Sequence, residues 1–191
     1  STSWLENNID VGYNATTNKK IEALFGVNYF YYNNPIDNNN DNFTDIAIQN
    51  RVSVFSKWNI NRKSEKEFNI VLRYLYEDRW GGEMQWNKRF RGGNEVYGES
   101  IYTSRYELLG KYQIPVAEKM YLQFSLISHN QNSVYGNSFY LANQKIGFGQ
   151  FLWDKNIKNH SLLFGSAFRY QFYDDNTPAT TNSDQSKIYS L

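Results

Sequence analysis

The chain has 191 residues, no Cys, three Pro, 18% aromatic side chains and a formal net charge of +1. Without cysteine there is no disulfide scaffold, thiolate metal site or Cys nucleophile. The 20 Lys and Arg are mixed along the chain with 19 Asp and Glu, so the basic footprint of a nucleic-acid binder is missing.

No segment approaches the roughly 18 consecutive apolar residues of a membrane helix. A mean hydropathy of -0.70 leaves a membrane barrel open, because half of each barrel strand faces a polar lumen. Ser1-Thr2-Ser3-Trp4 lacks the basic start and apolar run of a signal peptide. Either a signal is removed or the chain is an internal piece of a longer protein.

The dominant pattern is strict alternation of apolar residues, the period of a strand with one apolar face. In chain order it predicts strands over Leu5–Tyr13, Lys20–Tyr32, Thr44–Ile60, Glu67–Glu77, Glu99–Ile114, Lys119–His129, Ser138–Trp153 and His160–Tyr173, with another starting near Lys187. In the second, the apolar phase is Ile21, Ala23, Phe25, Val27, Tyr29, Tyr31; in the fourth it is Phe68, Ile70, Leu72, Tyr74, Tyr76. Thr44–Ile60 and Glu99–Ile114 carry every Lys, Arg, Asp and Glu on the opposite phase. Ser138–Trp153 is ambiguous, since Gln144 and Gln150 share a face with Ile146, Phe148 and Leu152 while Lys145 opposes them.

These segments are longer than the about 5–6 residues of a typical globular strand and suit membrane strands of about 9–11. Their connections alternate. Asn14–Lys19, Asn61–Lys66, Pro115–Glu118 and Asp154–Asn159 are short, whereas Asn33–Phe43, Asp78–Gly98, Asn130–Asn137 and Asp174–Ser186 are mostly longer. Turns at one end and loops at the other are the habit of outer-membrane barrels. Tyr29, Tyr31, Trp58, Tyr74, Tyr76, Tyr102, Tyr112 and Tyr170 near strand ends fit an aromatic girdle, although aromatics are also good strand formers. The expected fold is therefore all-β: an antiparallel up-and-down meander of long strands, part of a transmembrane β-barrel. The competing architecture is a secreted β-sandwich, whose strands alternate in the same way.

Two loops carry candidate sites. Asp37, Asn39, Asp41 and Asp45 fall at positions 1, 3, 5 and 9 of a calcium-type loop, the spacing that wraps hard oxygens around a hard cation. Asn42 replaces the usual Gly and Ile48 the bidentate Glu; weak calcium binding competes with an Asx-rich surface loop bonding its own backbone. In the 78–98 loop, two Gly-Gly pairs punctuate a stretch holding Arg79, Trp80, Trp86, Arg89 and Arg91. Flat rings and planar cations suit capture of a bulky, anionic small molecule or metal chelate; the alternative is packing of the loop onto a barrel rim.

Catalysis finds no motif. His129 and His160 fall at opposite ends of their strands, no Gly-x-Ser-x-Gly elbow exists, and Glu107 and Asp45 beside Arg51 and Arg105 suit lumen-facing pairs. The chain is read as no enzyme.

The runs Leu24-Phe-Gly-Val-Asn-Tyr-Phe, Asp41-Asn-Phe-Thr-Asp45, Arg51-Val-Ser-Val-Phe-Ser-Lys-Trp-Asn59, Tyr76-Glu-Asp-Arg-Trp-Gly-Gly-Glu-Met-Gln-Trp86, Gly98-Glu-Ser-Ile-Tyr102 and Tyr173-Asp-Asp-Asn-Thr-Pro-Ala179 resemble the barrel region of TonB-dependent outer-membrane receptors of the Bacteroidetes type. The resemblance implies uptake of a scarce ligand such as a ferric siderophore, cobalamin or a glycan across a Gram-negative outer membrane. The resemblance further implies barrel contact with lipid and energy from the TonB complex acting through a plug domain. No plug sequence, energy-coupling box or aromatic C-terminal strand is found, and about eight or nine strands fall short of a family barrel of about 22. The whole of residues 1–191 is thus expected to be a segment of such a barrel. The alternatives are a small self-contained structural or adhesion barrel, closed by His160–Tyr173 on Leu5–Tyr13, and a secreted sandwich binding carbohydrate through Trp80, Trp86 and Tyr97.

Overall fold

A computed structural model describes residues 5–17, 20–62, 65–182 and 186–191. The start at Ser1–Trp4, and parts of the expected connections 14–19, 61–66 and 174–186, lie outside the described residues. The strands are β1 (Asn7–Thr17), β2 (Ile21–Tyr32), β3 (Ile48–Ile60), β4 (Phe68–Gly82), β5 (Gly98–Gln113), β6 (Lys119–Tyr135), β7 (Ser138–Ile157), β8 (His160–Asp175) and β9 (Lys187–Ser190), with one-turn 3-10 helices at Lys88–Phe90 and Pro178–Thr180. All nine strands form one antiparallel sheet in sequence order, the up-and-down meander that the alternation predicts.

β3 starts at Ile48 rather than Thr44, and β4 runs on to Gly82. The largest departure is β6. It continues through the expected loop 130–137 to Tyr135 and reverses in the two-residue turn Gly136-Asn137, where Gly136 has φ 59. A tight hairpin turn needs a positive φ that glycine adopts without strain. The connections 33–47, 83–97 and 176–186 remain long, so the strand ends that bear them form a rim; the opposite connections are short.

Directly paired residues share a face, so the register settles each phase. Val27 pairs with Val54, Val54 with Tyr74 and Tyr74 with Tyr106; Leu72 pairs with Leu108 and Leu108 with Leu126. The ambiguity of β7 is resolved by its partners. Gly147 and Gly149 pair with Leu126 and Phe124 on the apolar face, whereas Gln150 pairs with Gln123 on the charged one. Lys145 does lie on the apolar face, opposite Ser128 and Phe172, where the uncharged band ends. On β3 and β4 the band ends at the pair Asn50–Asp78. On β4 it thus runs uncharged from Phe68 to Tyr76.

Cross-strand aromatic pairs stitch this face together. Phe25–Trp58, Phe68–Tyr112, Tyr74–Tyr106 and Trp153–Phe164 have ring centroids 5.3, 5.5, 4.8 and 5.5 Å apart, each contact contributing about 0.5–1.5 kcal/mol beyond area burial. Tyr29, Tyr31, Tyr76 and Tyr102 lie toward the rim, Tyr74 lies midway, and Trp58, Tyr112 and Trp153 lie toward the short turns.

The sheet is a single layer. Leu72, Tyr106, Leu126 and Phe168 are 46, 54, 55 and 45% exposed, where a sandwich would bury them under a second sheet. Total accessible surface is 12608 Å², against about 9,500 Å² for a compact monomer of this mass. Among the described residues β8 pairs with β9 and β7, and β1 only with β2, so there the β8-on-β1 closure of a small barrel is not formed and the sheet is open. Tyr32, Ile48, Trp86, Ser100, Ser133 and Val134 are buried at the rim, while Ala23 and Gln113 are buried toward the short turns.

Candidate functional site

The rim is one body because two loops are sewn together. Phe43 bridges Glu83, Met84 N–H donates to Asn42 O (2.9 Å), and the Asn42 and Gln85 amides exchange bonds of 3.2 and 2.9 Å. Thr44 clamps Gly82 from both sides: its N–H donates to Gly82 O (2.8 Å), and its Oγ1 accepts from Gly82 N–H (3.0 Å).

Beneath the loops, the Trp80 and Trp86 rings lie 4.7 Å apart. Trp86 is only 4% exposed, and it lies so close over Gly98 that a Cβ there would come within 2.3 Å of the indole. Glycine at 98 is what allows the indole to reach the sheet.

The five residues singled out in this loop therefore divide. Trp80 and Trp86 form the packed base. Arg91 is strapped down: its Nε donates to Ser100 Oγ (3.1 Å), its Nη2 to Asn132 O and Oδ1 (3.0 and 2.7 Å), and its guanidinium lies 4.7 Å from the Tyr102 centroid. Arg79 alternates to the opposite face, with Nε 3.6 Å from Glu77. Arg89 is exposed, its Nε on Asn87 Oδ1 (3.2 Å) and its guanidinium 5.9 Å from the Phe90 ring. Sequence reasoning passed over Lys88, whose Nζ binds Asp78 Oδ2 at 2.7 Å; that bond holds its ammonium pKa above the usual lysine value.

In the 33–47 loop the acidic side chains turn onto backbone. Asp37 accepts from the N–H groups of Asp41 and Asn42 (3.2 and 2.9 Å), Asn39 Oδ1 accepts from Asp41 N–H (3.2 Å), and Asp41 accepts from Phe43 N–H (2.8 Å). Asp45 Oδ2 accepts from Asn38 N–H and Nδ2 (2.9 and 2.8 Å), so Asp45 belongs to this loop and not to the charged face. The Asn39 and Asp41 bonds are Asx-turns, and those of Asp37 and Asp45 close the wider loop. Among the described residues no group of three or more His, Asp or Glu is positioned around one point for a metal.

On the charged face, Glu107 gathers Arg105 (2.5 Å) and Arg73 (3.9 Å), while Arg51 is in register with Glu77 and lies 5.3 Å from the Phe30 ring. His129 pairs with Arg105 on this face, and its buried Nδ1 has no partner; His160 opens β8 at the far end.

A further feature lies on the apolar-phase side, between the uncharged band and the rim. The register places Tyr76, Ser104, Asn130, Asn143 and Asp174 in one row across five strands. Tyr102, Asn132 and Leu141 form the next row. Together with Asn176 they line a cleft of about 440 Å³. Asn130 and Asp174 fall in segments the sequence reads as loops. The signal that could have found them is the two-residue spacing of Asn130 and Asn132, which continues the phase of Leu122, Phe124 and Leu126.

Comparison of the chain with protein-family models, with curated proteins and with solved structures gives no match.

Proposed function

We propose that this chain is a segment of an outer-membrane β-barrel receptor for TonB-dependent uptake of a scarce ligand such as a ferric siderophore or cobalamin. The observation carrying the reading is the single-layer sheet whose uncharged face, one strand-crossing deep, has no protein over it. In water such a face is unfavourable by roughly 25 cal/mol for each Å² left exposed. Against hydrocarbon it is the stable state, provided that every backbone group is paired. The edges of β1 and β9 then require further strands, as in a wider barrel. The charged face, with Arg51, Arg73, Arg105 and Glu107, lines the lumen, and the rim faces outward.

In this reading Arg89 meets an anionic ligand, Trp80, Trp86 and Arg91 hold the platform beneath it, and Arg79 contributes from the lumen side. The TonB complex acts through a plug that these residues do not form. Single cysteines test the membrane part in intact Gram-negative cells. With an impermeant maleimide, Arg89→Cys is expected to label at once and Leu72→Cys only after detergent; equal labelling of both in intact membranes overturns the reading. Loss of siderophore- or cobalamin-dependent growth on deletion of residues 83–97, with growth on inorganic iron retained, tests the uptake part.

A further inference from the structure

We propose that the uncharged face carries a built seat for a single molecule of an anionic lipid, with an acyl chain lying in a furrow along β7 and a phosphate held between Lys145 and Lys187. The inference rests on hydrocarbon covering this face and not on TonB-dependent uptake.

The furrow comes from two missing side chains. Lys145, Gly147, Gly149 and Phe151 follow one another on the uncharged face, since alternate residues of a strand share a side. Gly147 lies between Leu126 and Tyr170, and Gly149 between Phe124 and Phe168. Gly110, on the same face, is covered by its neighbour: a Cβ there would come within 2.2 Å of the Phe124 ring. The two β7 glycines are left open. A Cβ at Gly147 would meet only Leu126 Cδ2 at 3.7 Å, and one at Gly149 would meet nothing within 4 Å. Glycine inside a strand gives up packing and often marks a place where another molecule comes close.

Hollows of about 790 and 420 Å³ succeed each other along this line, the first lined by Lys145, Gly147 and Tyr170 and the second by Gly149, Phe151 and Phe168. From Lys145 to Phe151 the furrow runs about 20 Å along the strand. At a barrel tilt of about 40° this spans about 15 Å of depth, half the roughly 30 Å hydrocarbon core and so one leaflet.

Charge at the rim end identifies the occupant. Lys187 pairs with Phe172 and Phe172 with Lys145, so the two lysines flank one ring in a single row. Both are exposed, and Lys145 Nζ lies 6.0 Å from the Phe172 centroid, reaching toward the strand that separates it from Lys187. Neither makes an ion pair among the described residues, whereas Lys155, at the other end of the β7 band, is matched by Glu118. In the adjoining row Asp174, opposite Asn143, is the carboxylate among the described residues. Two cations against one carboxylate leave positive charge where the apolar furrow meets the polar rim. A phosphate joined to an acyl chain matches both parts. With the rim facing outward, this end of the furrow lies in the outward leaflet, which in a Gram-negative outer membrane is lipopolysaccharide. Its phosphorylated lipid A is the occupant.

The test is native mass spectrometry of the detergent-solubilised protein titrated with purified lipid A, phosphatidylglycerol or phosphatidylcholine. Retention of a single lipid A per chain is expected, ahead of both phospholipids. Lys145→Gln combined with Lys187→Gln should weaken it on the order of tenfold; Gly149→Leu, which fills the furrow, should do the same, and Lys57→Gln on the charged face should leave it unchanged. Because the side chain added at 149 enters open space, Gly149→Leu is expected to melt no lower than wild type, which separates a blocked furrow from a lost fold. No retained lipid A, equal retention of phosphatidylcholine, preference for phosphatidylglycerol, or indifference to these lysine and glycine variants overturns the proposal. Any of these with Trp58 still quenched by brominated lipid removes the seat and leaves the membrane reading standing; an unquenched Trp58 removes both.

Discussion

The rim and the middle of the sheet are built from the same strands and are held together differently. At the rim Trp86, Ile48, Tyr32 and Val134 are buried against protein, and polar groups such as Ser100 and Asn132 have partners. In the middle Leu72, Tyr106 and Leu126 are about half exposed, with hydrogen bonds along the strands and aromatic pairs across them but nothing above. The rim is finished in water; the middle is complete only when an apolar medium covers it. The contrast teaches that one meander can carry two solvents, and substitutions in the two regions should respond to different environments.

The largest expected effect is at the rim. Trp86→Ala removes the buried indole under both loops and should cost about 3–5 kcal/mol, read as loss of protection of residues 42–45 and 82–98 in hydrogen exchange. The loss should be the same in detergent and in vesicles. Leu72→Arg, in the uncharged band, should cost about 2–4 kcal/mol in a bilayer but little in aqueous urea-solubilised chain. An equal penalty in both media would erase the distinction between the regions.

A smaller effect concerns Asp175 at the β8 rim. Hydrogen bonds from the Thr177 hydroxyl and backbone N–H (2.5 and 2.8 Å), and then from Thr180 and Tyr173, hold its carboxyl below the usual 3.8, at about 2. A lowered folded-state pKa contributes stability that is fully present above pH 3.8 and lost as pH falls toward about 2. The 175–181 turn should therefore stay protected at pH 5 and open on acidification, and Asp175→Asn should flatten this dependence. The smallest effect is calcium at Asp37, Asn39, Asp41 and Asp45. With these side chains already turned to backbone N–H groups, binding on the order of 10⁻³ M is expected by titration; submicromolar binding would mean that the loop rearranges around the ion.

Most of the meander was legible in the sequence because its signal is local. The alternation of Ile21 to Tyr31 or Phe68 to Tyr76 depends on the strand's own pleat and survives any register. The end of β6 was not legible, since Asn130, Asn132 and Asn137 discourage a strand on propensity and only pairing with β5 and β7 overrides it. At the candidate site, the Trp and Arg content of the 78–98 loop marked it as special. The division of labour among Arg79, Arg89 and Arg91 depends on strand phase and on partners such as Ser100 and Asn132, which lie in other strands. The cleft was invisible for the same reason: its floor draws single residues from five strands.

The central claim, that hydrocarbon covers the uncharged face, is tested most directly by tryptophan quenching in vesicles of brominated lipid, comparing variants in which either Trp58 or Trp86 is the reporter. Strong quenching of Trp58 on the band with little quenching of rim-buried Trp86 is the predicted result. Equal, weak quenching of both would contradict it.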